Sequence, residues 1–232
     1  MQNIKSNLAA LERRIDAACA AAKRSRESVT LIGVSKTKPA AAVREASSLG
    51  ITQFGENYLD EAIEKIAATA DLDLIWHFIG RIQSNKTRDI AKHFHWVQTV
   101  DREKIARRLH EHCPSDKRLN ILLQVNIDAD SAKAGISPAQ AGSLLEYIEQ
   151  LPRLAPRGLM TILAADSDPR ASYQSMAQLF ERLKPQLDPD SRAHWDTLSM
   201  GMTGDLEHAI AAGATHIRIG TALFGAREAS TH

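Results

Sequence analysis

Lys36 sits in the run V-T-L-I-G-V-S-K-T-K-P at positions 29–39. The apolar, β-branched residues before it read as a buried strand. Pro39 and the Ala-rich stretch behind it read as a loop and the opening of a helix. A lysine at the carboxyl end of a buried strand stands where α/β folds place reactive groups. Partial desolvation there lowers the ammonium pKa and frees the amine to form a Schiff base with a carbonyl. A lysine that snorkels to solvent at a strand end is the alternative this segment leaves open.

Two further clusters have the chemistry of an anion site. L-S-M-G-M-T-G-D at 198–205 joins Ser199 to Gly201 and Gly204 ahead of a short helix. I-R-I-G-T-A-L-F-G at 217–225 adds Gly220 and the Thr221 hydroxyl. Glycines let backbone amides approach a ligand, and a helix N-terminus offers unpaired N–H groups. Either cluster alone is also read as a turn and a helix start. Together, at adjacent strand ends and opposite a strand-end lysine, they predict a phosphate cradle. An amine beside a phosphate cradle points to pyridoxal 5′-phosphate (PLP), an aldehyde with a phosphate handle. Arg218 projects on the same strand face as Gly220 and is the natural partner for the pyridine nitrogen. An acidic partner would keep that nitrogen protonated, whereas an arginine would leave it unprotonated.

The elements that must hold these residues alternate along the chain. Residues 4–24 carry Ile4, Leu8, Leu11, Ile15 and Ala18 on one helical stripe. Strands are predicted at 29–35, 52–55, 74–79, 96–100, 121–127, 158–163, 195–199 and 216–219. Helices are predicted at 40–49, 58–68, 86–92, 102–112, 138–150, 171–183 and 206–212, with Asp101 as the N-cap of the fourth. Alternation implies parallel strands with right-handed crossovers. The fold expected is α/β, a single (β/α)8 TIM-type barrel over residues 1–232 with an additional N-terminal helix. That helix is expected to pack where the last helix would otherwise lie. An open doubly wound sheet is the alternative, but no strand is followed by G-x-G-x-x-G or a Walker loop. The strand ends of such a barrel gather Lys36, Asn57, His77, Ser199, Gly201, Arg218, Gly220 and Thr221.

Composition narrows the function classes. Lys and Arg total 29 against 28 Asp and Glu, a formal charge of +1, which gives no reason to expect a nucleic acid or a membrane as partner. The amphipathic, charged N-terminus does not read as a secretory signal. Cys19 and Cys113 are expected as free thiols in a reducing cytoplasm. His93 and His95, like His110 and His112, form H-x-H pairs without a third ligand, so no metal is expected. Trp76, Trp96 and Trp195 read as strand residues that pack the core.

S-K-T-K-P at 35–39, F-G-E-N-Y at 54–58, H-F-I-G-R-I-Q-S-N-K at 77–86, G-L-M-T at 158–161 and the two glycine-bearing clusters resemble the PLP homeostasis proteins. These are single-domain relatives of the alanine racemase barrel domain, and the likeness runs almost end to end. It departs at Ile82-Gln83, where the family usually reads L-Q. The resemblance implies that Lys36 carries PLP and that Ser199, Gly220 and Thr221 hold its phosphate. It also implies that Arg218 faces the pyridine nitrogen, while Asn57 and His77 match positions near the cofactor. The implied role is storage, buffering or delivery of the cofactor, with PLP-dependent apoenzymes as recipients, by a cytoplasmic monomer without a complete catalytic pair. Two other classes compete. An amino-acid racemase needs an acid or base on each face of the ring. In alanine racemases the second is a tyrosine of another domain, which is not expected in a chain ending soon after its eighth strand. Only Tyr58 of its tyrosines lies at a strand end. A sugar-phosphate aldolase would use Lys36 without needing Arg218.

Overall fold

A computed structural model describes residues 3–226. Helix α1 (Ile4–Ala21) comes first, followed by β1 (Thr30–Val34), α2 (Ala40–Ser48), β2 (Gln53–Glu56), α3 (Leu59–Ala68) and β3 (Ile75–Phe78). The chain continues through α4 (Thr87–His93), β4 (Trp96–Val100), α5 (Glu103–His112), β5 (Leu119–Gln124), α6 (Ala141–Glu149) and β6 (Leu154–Met160). It ends with α7 (Pro169–Leu183), α8 (Pro189–Ala193), β7 (Thr197–Ser199), α9 (Leu206–Ala211), β8 (His216–Ile219) and α10 (Thr221–Phe224). The eight strands are parallel and close into one barrel in sequence order, β8 pairing back onto β1. This is the (β/α)8 architecture expected.

Strand alternation sorts the barrel into two layers. Phe54, Trp76 and Phe78 point outward to the helices, Phe54 against Trp76 at 5.6 Å and Phe78 against Phe94 at 5.2 Å. Inside, Trp96, Leu122 and Met160 form a small separate apolar cluster. Barrel interiors are usually filled by branched apolar side chains. Here the interior also carries Gln53, His77, Gln98, Ser199 and Arg218, and they bond to one another.

The N-terminal helix closes the ring. Ile4, Leu8, Leu11, Ile15 and Ala18 are all buried, and α1 packs against α9 and α10. Asn7 Nδ2 donates to the Leu223 carbonyl at 3.0 Å, and Arg14 grips Glu207 with Nε at 2.8 Å and a terminal nitrogen at 3.0 Å.

Three local expectations are corrected. The sixth strand starts at Leu154, ahead of the expected 158, because Pro156 and Gly158 do not break it. The register shifts between Ile121 and Leu122 opposite these residues, and the irregularity accommodates the proline's missing donor. Gly158 has φ 151°, and a Cβ there would lie 1.7 Å from the Thr197 carbonyl oxygen, so only glycine lets β6 approach β7. Trp195 precedes β7 instead of lying in it. Its ring stacks on Phe180 at 5.2 Å and its Nε1 donates to the Phe180 carbonyl. Asp101 does not cap α5. Its carboxylate is drawn to the Arg102 guanidinium at 2.5 Å, and Arg102 holds the cap position.

The histidine pairs have structural partners. His95 Nδ1 accepts from the Trp76 amide, and His112 Nδ1 lies 3.0 Å from Thr87 Oγ1. Among the described residues no cluster could hold a metal, and no helix is long and apolar enough to cross a membrane. Cys19 and Cys113 are buried free thiols.

Candidate functional site

Lys36 lies half-buried in the turn that leaves β1, and both its neighbours are tethered. Ser35 Oγ donates to Glu56 Oε1 at 2.6 Å, and the Thr37 amide donates to Glu61 Oε1 at 2.6 Å. Lys65 Nζ joins these anchors, donating to the Ser35 carbonyl at 2.6 Å, Glu56 at 2.7 Å and Glu61 at 2.5 Å. Thr37 has φ 63°, a left-handed conformation that costs a threonine energy and persists only where its surroundings hold it. Burial raises the Glu56 carboxyl above its ordinary pKa, against the pull of Lys65 and Ser35. The loop that carries the amine is therefore fixed by Glu56 at the end of β2 and by Glu61 and Lys65 of α3.

The β8 end lies beside this loop, and the β7 end is next beyond it. Val34 is next to Gly220, whose added Cβ would sit 3.4 Å from the Val34 carbonyl oxygen. Lys36 is thus adjacent to the glycine-bearing ends and does not stand opposite them. Gly201 turns the chain after β7 with φ 96°, and a Cβ there would strike Ala209 at 2.6 Å. Thr221 is exposed at the opening of α10.

Arg218 points into the barrel and is 4% exposed. Its Nη1 donates to Ser199 Oγ at 2.8 Å and its Nη2 to the Thr161 carbonyl at 2.7 Å. Burial lowers its pKa to about 10, with Tyr173 and Asp205 opposing, so it remains a cation at neutral pH. Ser199 Oγ donates to Gln98 Oε1 at 2.8 Å, and Gln98 Nε2 lies 3.0 Å from His77 Nδ1. His77 Nε2 is 2.8 Å from Gln53 Oε1. Burial pushes His77 well below its ordinary pKa, and His216 and His95 push the same way.

Ser199 and His77 are therefore built into the barrel interior. The Ser199 hydroxyl donates to Gln98 and accepts from Arg218, so its one proton is engaged inside the barrel. Both ring nitrogens of His77 are engaged. Lys36, Asn57, Gly220 and Thr221 gather at the mouth. Asn57 Oδ1 is buried and accepts no hydrogen bond, a polar atom that calls for a donor. A half-buried amine, an orphaned acceptor, a buried cation and a glycine turn suit a molecule with an aldehyde, a hydroxylated aromatic ring and a phosphate. PLP has all three groups, so the residues fit it.

The sequence reading missed Gln98, Gln53, Glu56, Lys65 and Glu61. Gln98 sits two residues after Trp96 in W-V-Q-T-V, a polar residue on the inward face of a fully buried strand. Lys65 follows Glu61 by four residues on α3, a spacing that ordinarily marks a solvated surface pair.

The profile of the alanine racemase N-terminal domain family matches residues 4–228. A Pseudomonas aeruginosa protein named pyridoxal phosphate homeostasis protein is 52% identical over 229 residues, 98% of this chain and 97% of that one. PipY of Synechococcus elongatus, solved with PLP bound, is 37% identical with a TM-score of 0.79, covering 96% of this chain and 100% of its own. An alanine racemase of Clostridium difficile shares the fold, with a TM-score of 0.73 at 14% identity, and the match covers 98% of this chain but 58% of that one.

Proposed function

The chain belongs to the pyridoxal phosphate homeostasis proteins, within the alanine racemase N-terminal domain family, and from that premise we propose that it binds PLP on Lys36 and stores, buffers or delivers it. The observation that carries the reading is the adjacency of the Lys36 turn to β8, which brings an amine beside a buried cation and a glycine turn. PLP supplies an aldehyde that joins reversibly to a primary amine. Lys36 provides that amine. Gly220 and Thr221, with Ser199 and Gly201, receive the phosphate. Arg218 faces the pyridine nitrogen, and Asn57 offers its buried Oδ1 to the ring.

A carrier role fits the remaining groups better than catalysis. A cation at the ring nitrogen disfavours its protonation, which weakens the ring as an electron sink. Racemisation needs a second acid on the far face. Tyr173 is buried with its hydroxyl on Asp205 at 2.9 Å, and burial pushes that phenol up. Tyr147 lies on α6 outside the barrel, while Tyr58 is at the mouth but 52% exposed. We read the chain as one domain and a cytoplasmic monomer, a setting that agrees with its free thiols, with PLP-dependent apoenzymes as recipients.

Titration with PLP and with pyridoxal, followed by visible absorbance, tests the site. Charge-assisted hydrogen bonds are worth about 1.5–3 kcal/mol each, so two of them separate the two compounds by roughly a hundredfold or more. Equal affinities would show that the β7 and β8 ends do not hold a phosphate. Incubation with L-alanine in deuterated water tests the carrier role. No α-hydrogen exchange at an enzymatic rate is expected, and rapid exchange yielding the D-enantiomer would make the protein a racemase.

A further inference from the structure

Arg218 fixes the direction of each hydrogen bond in the chain that runs from it to Gln53 through the barrel interior. A guanidinium can only donate. Ser199 Oγ, 2.8 Å from Nη1, must therefore accept there, and its single proton points elsewhere. The remaining partner is Gln98 Oε1 at 2.8 Å. That turns the Gln98 amide so that Nε2, also donor-only, faces His77 Nδ1 at 3.0 Å. Nδ1 must accept, so the imidazole proton is on Nε2 and goes to Gln53 Oε1 at 2.8 Å. The chain runs one way, from Arg218 to Gln53, without a mismatched pair.

We propose that Gln98 is a positioning residue for the cofactor site, holding Arg218 through Ser199, and that His77 keyed as the Nε2–H tautomer locks the Gln98 amide in the orientation this requires. The inference rests on the reading that Arg218 addresses PLP. Gln98 has no exposed surface and His77 none, so neither reaches the mouth and each acts through its neighbour. The His77 ring is itself fixed, stacked on Trp96 at 5.4 Å with His216 at 6.2 Å. A second proton on His77 would set Nδ1–H against the Gln98 amide hydrogens. The amide would then have to flip, and Ser199 would lose its acceptor. The low basicity that burial gives His77 keeps the chain closed.

The first measurement needs no cofactor. Nitrogen-15 spectra of His77 in the cofactor-free protein should show a neutral ring with Nε2 protonated at neutral pH, and protonation on Nδ1 would overturn the proposal. The second is a double-mutant cycle read by PLP affinity and the visible spectrum. Gln98→Met and Arg218→Met should each weaken PLP by about tenfold or more. Together they should be no worse than Arg218→Met alone, because Gln98 acts only through that residue. Additive losses, or a Gln98→Met protein with parental affinity and spectrum, would reject the role. Gln98→Glu keeps an acceptor for Ser199 and draws a proton onto His77 Nδ1. It should keep PLP affinity close to the parent's while raising the His77 pKa, and a loss as large as that of Arg218→Met would count against the proposal even if Gln98→Met does not fold. If Arg218→Met binds PLP like the parent, the reading of Arg218 fails instead, which is a different outcome.

Discussion

At the residue scale, one ammonium holds the reactive turn. Lys65 Nζ contacts the Ser35 carbonyl, Glu56 and Glu61, and is itself 4% exposed. Lys65→Met would strand the buried Glu56 carboxylate and the Ser35 carbonyl, and losing one partner of a buried pair costs about 3–5 kcal/mol. Urea denaturation should show a loss of that size, and Glu56→Gln in the same chain should restore part of it, because the two act on one contact. Simple addition of the two losses would show that they are independent. The sequence made Lys36, Asn57, Arg218, Gly220 and Thr221 legible because strand-end position and residue type suffice to suggest chemistry. Lys65 and Gln98 escaped for a physical reason. Their importance lies in partners 30 and 101 residues away or reached through them, such as Ser35 for Lys65 and Ser199 for Gln98, and no local pattern encodes a pairing at that range.

At the element scale, α1 is a strap across the last units of the barrel. Leu11, 2% exposed, is buried on α1, which packs against α9 and α10. Leu11→Ala should destabilise by about 2–5 kcal/mol, the range for a buried leucine cut to alanine. Because α10 opens at Thr221 beside the phosphate residues, loosening α1 should also weaken PLP more than pyridoxal. Calorimetric melting and the two titrations check both effects, and a stability loss without any change in that preference would uncouple the strap from the site. The strip at Ile4, Leu8, Leu11, Ile15 and Ala18 announced this helix plainly, since burial on one face leaves a 3.6-residue period. The edges of β6 were not legible. Pro156 and Gly158 normally interrupt strands, and only the irregular pairing with β5 and the close approach to β7 show why this strand keeps them.

At the scale of the whole molecule, two barrel histidines, His77 and His216, set the response to acid. Burial lowers His216 from 6.5 to about 4, and His77 shifts the same way. A histidine whose folded pKa lies below its unfolded value binds fewer protons when folded, so stability falls as pH drops from about 6.5 towards 4. By pH 5 His216 accounts for about 2 kcal/mol, at about 1.4 kcal/mol per pH unit. Glu56, raised by burial, works in the opposite direction. The difference between the parent and His216→Gln in urea unfolding at pH 7 and pH 5 isolates the histidine, and a variant as acid-sensitive as its parent would contradict this account. The barrel as a whole serves to bring the ends of β1 and β8 together, since closure makes the first and last strands neighbours. The most direct test of what that closure accomplishes is borohydride reduction of the PLP-loaded protein followed by peptide mapping. A single pyridoxyl group on Lys36 is predicted. Reduction that leaves the protein unlabelled, or a label on Lys38 or Lys65 with Lys36 untouched, would contradict the central claim.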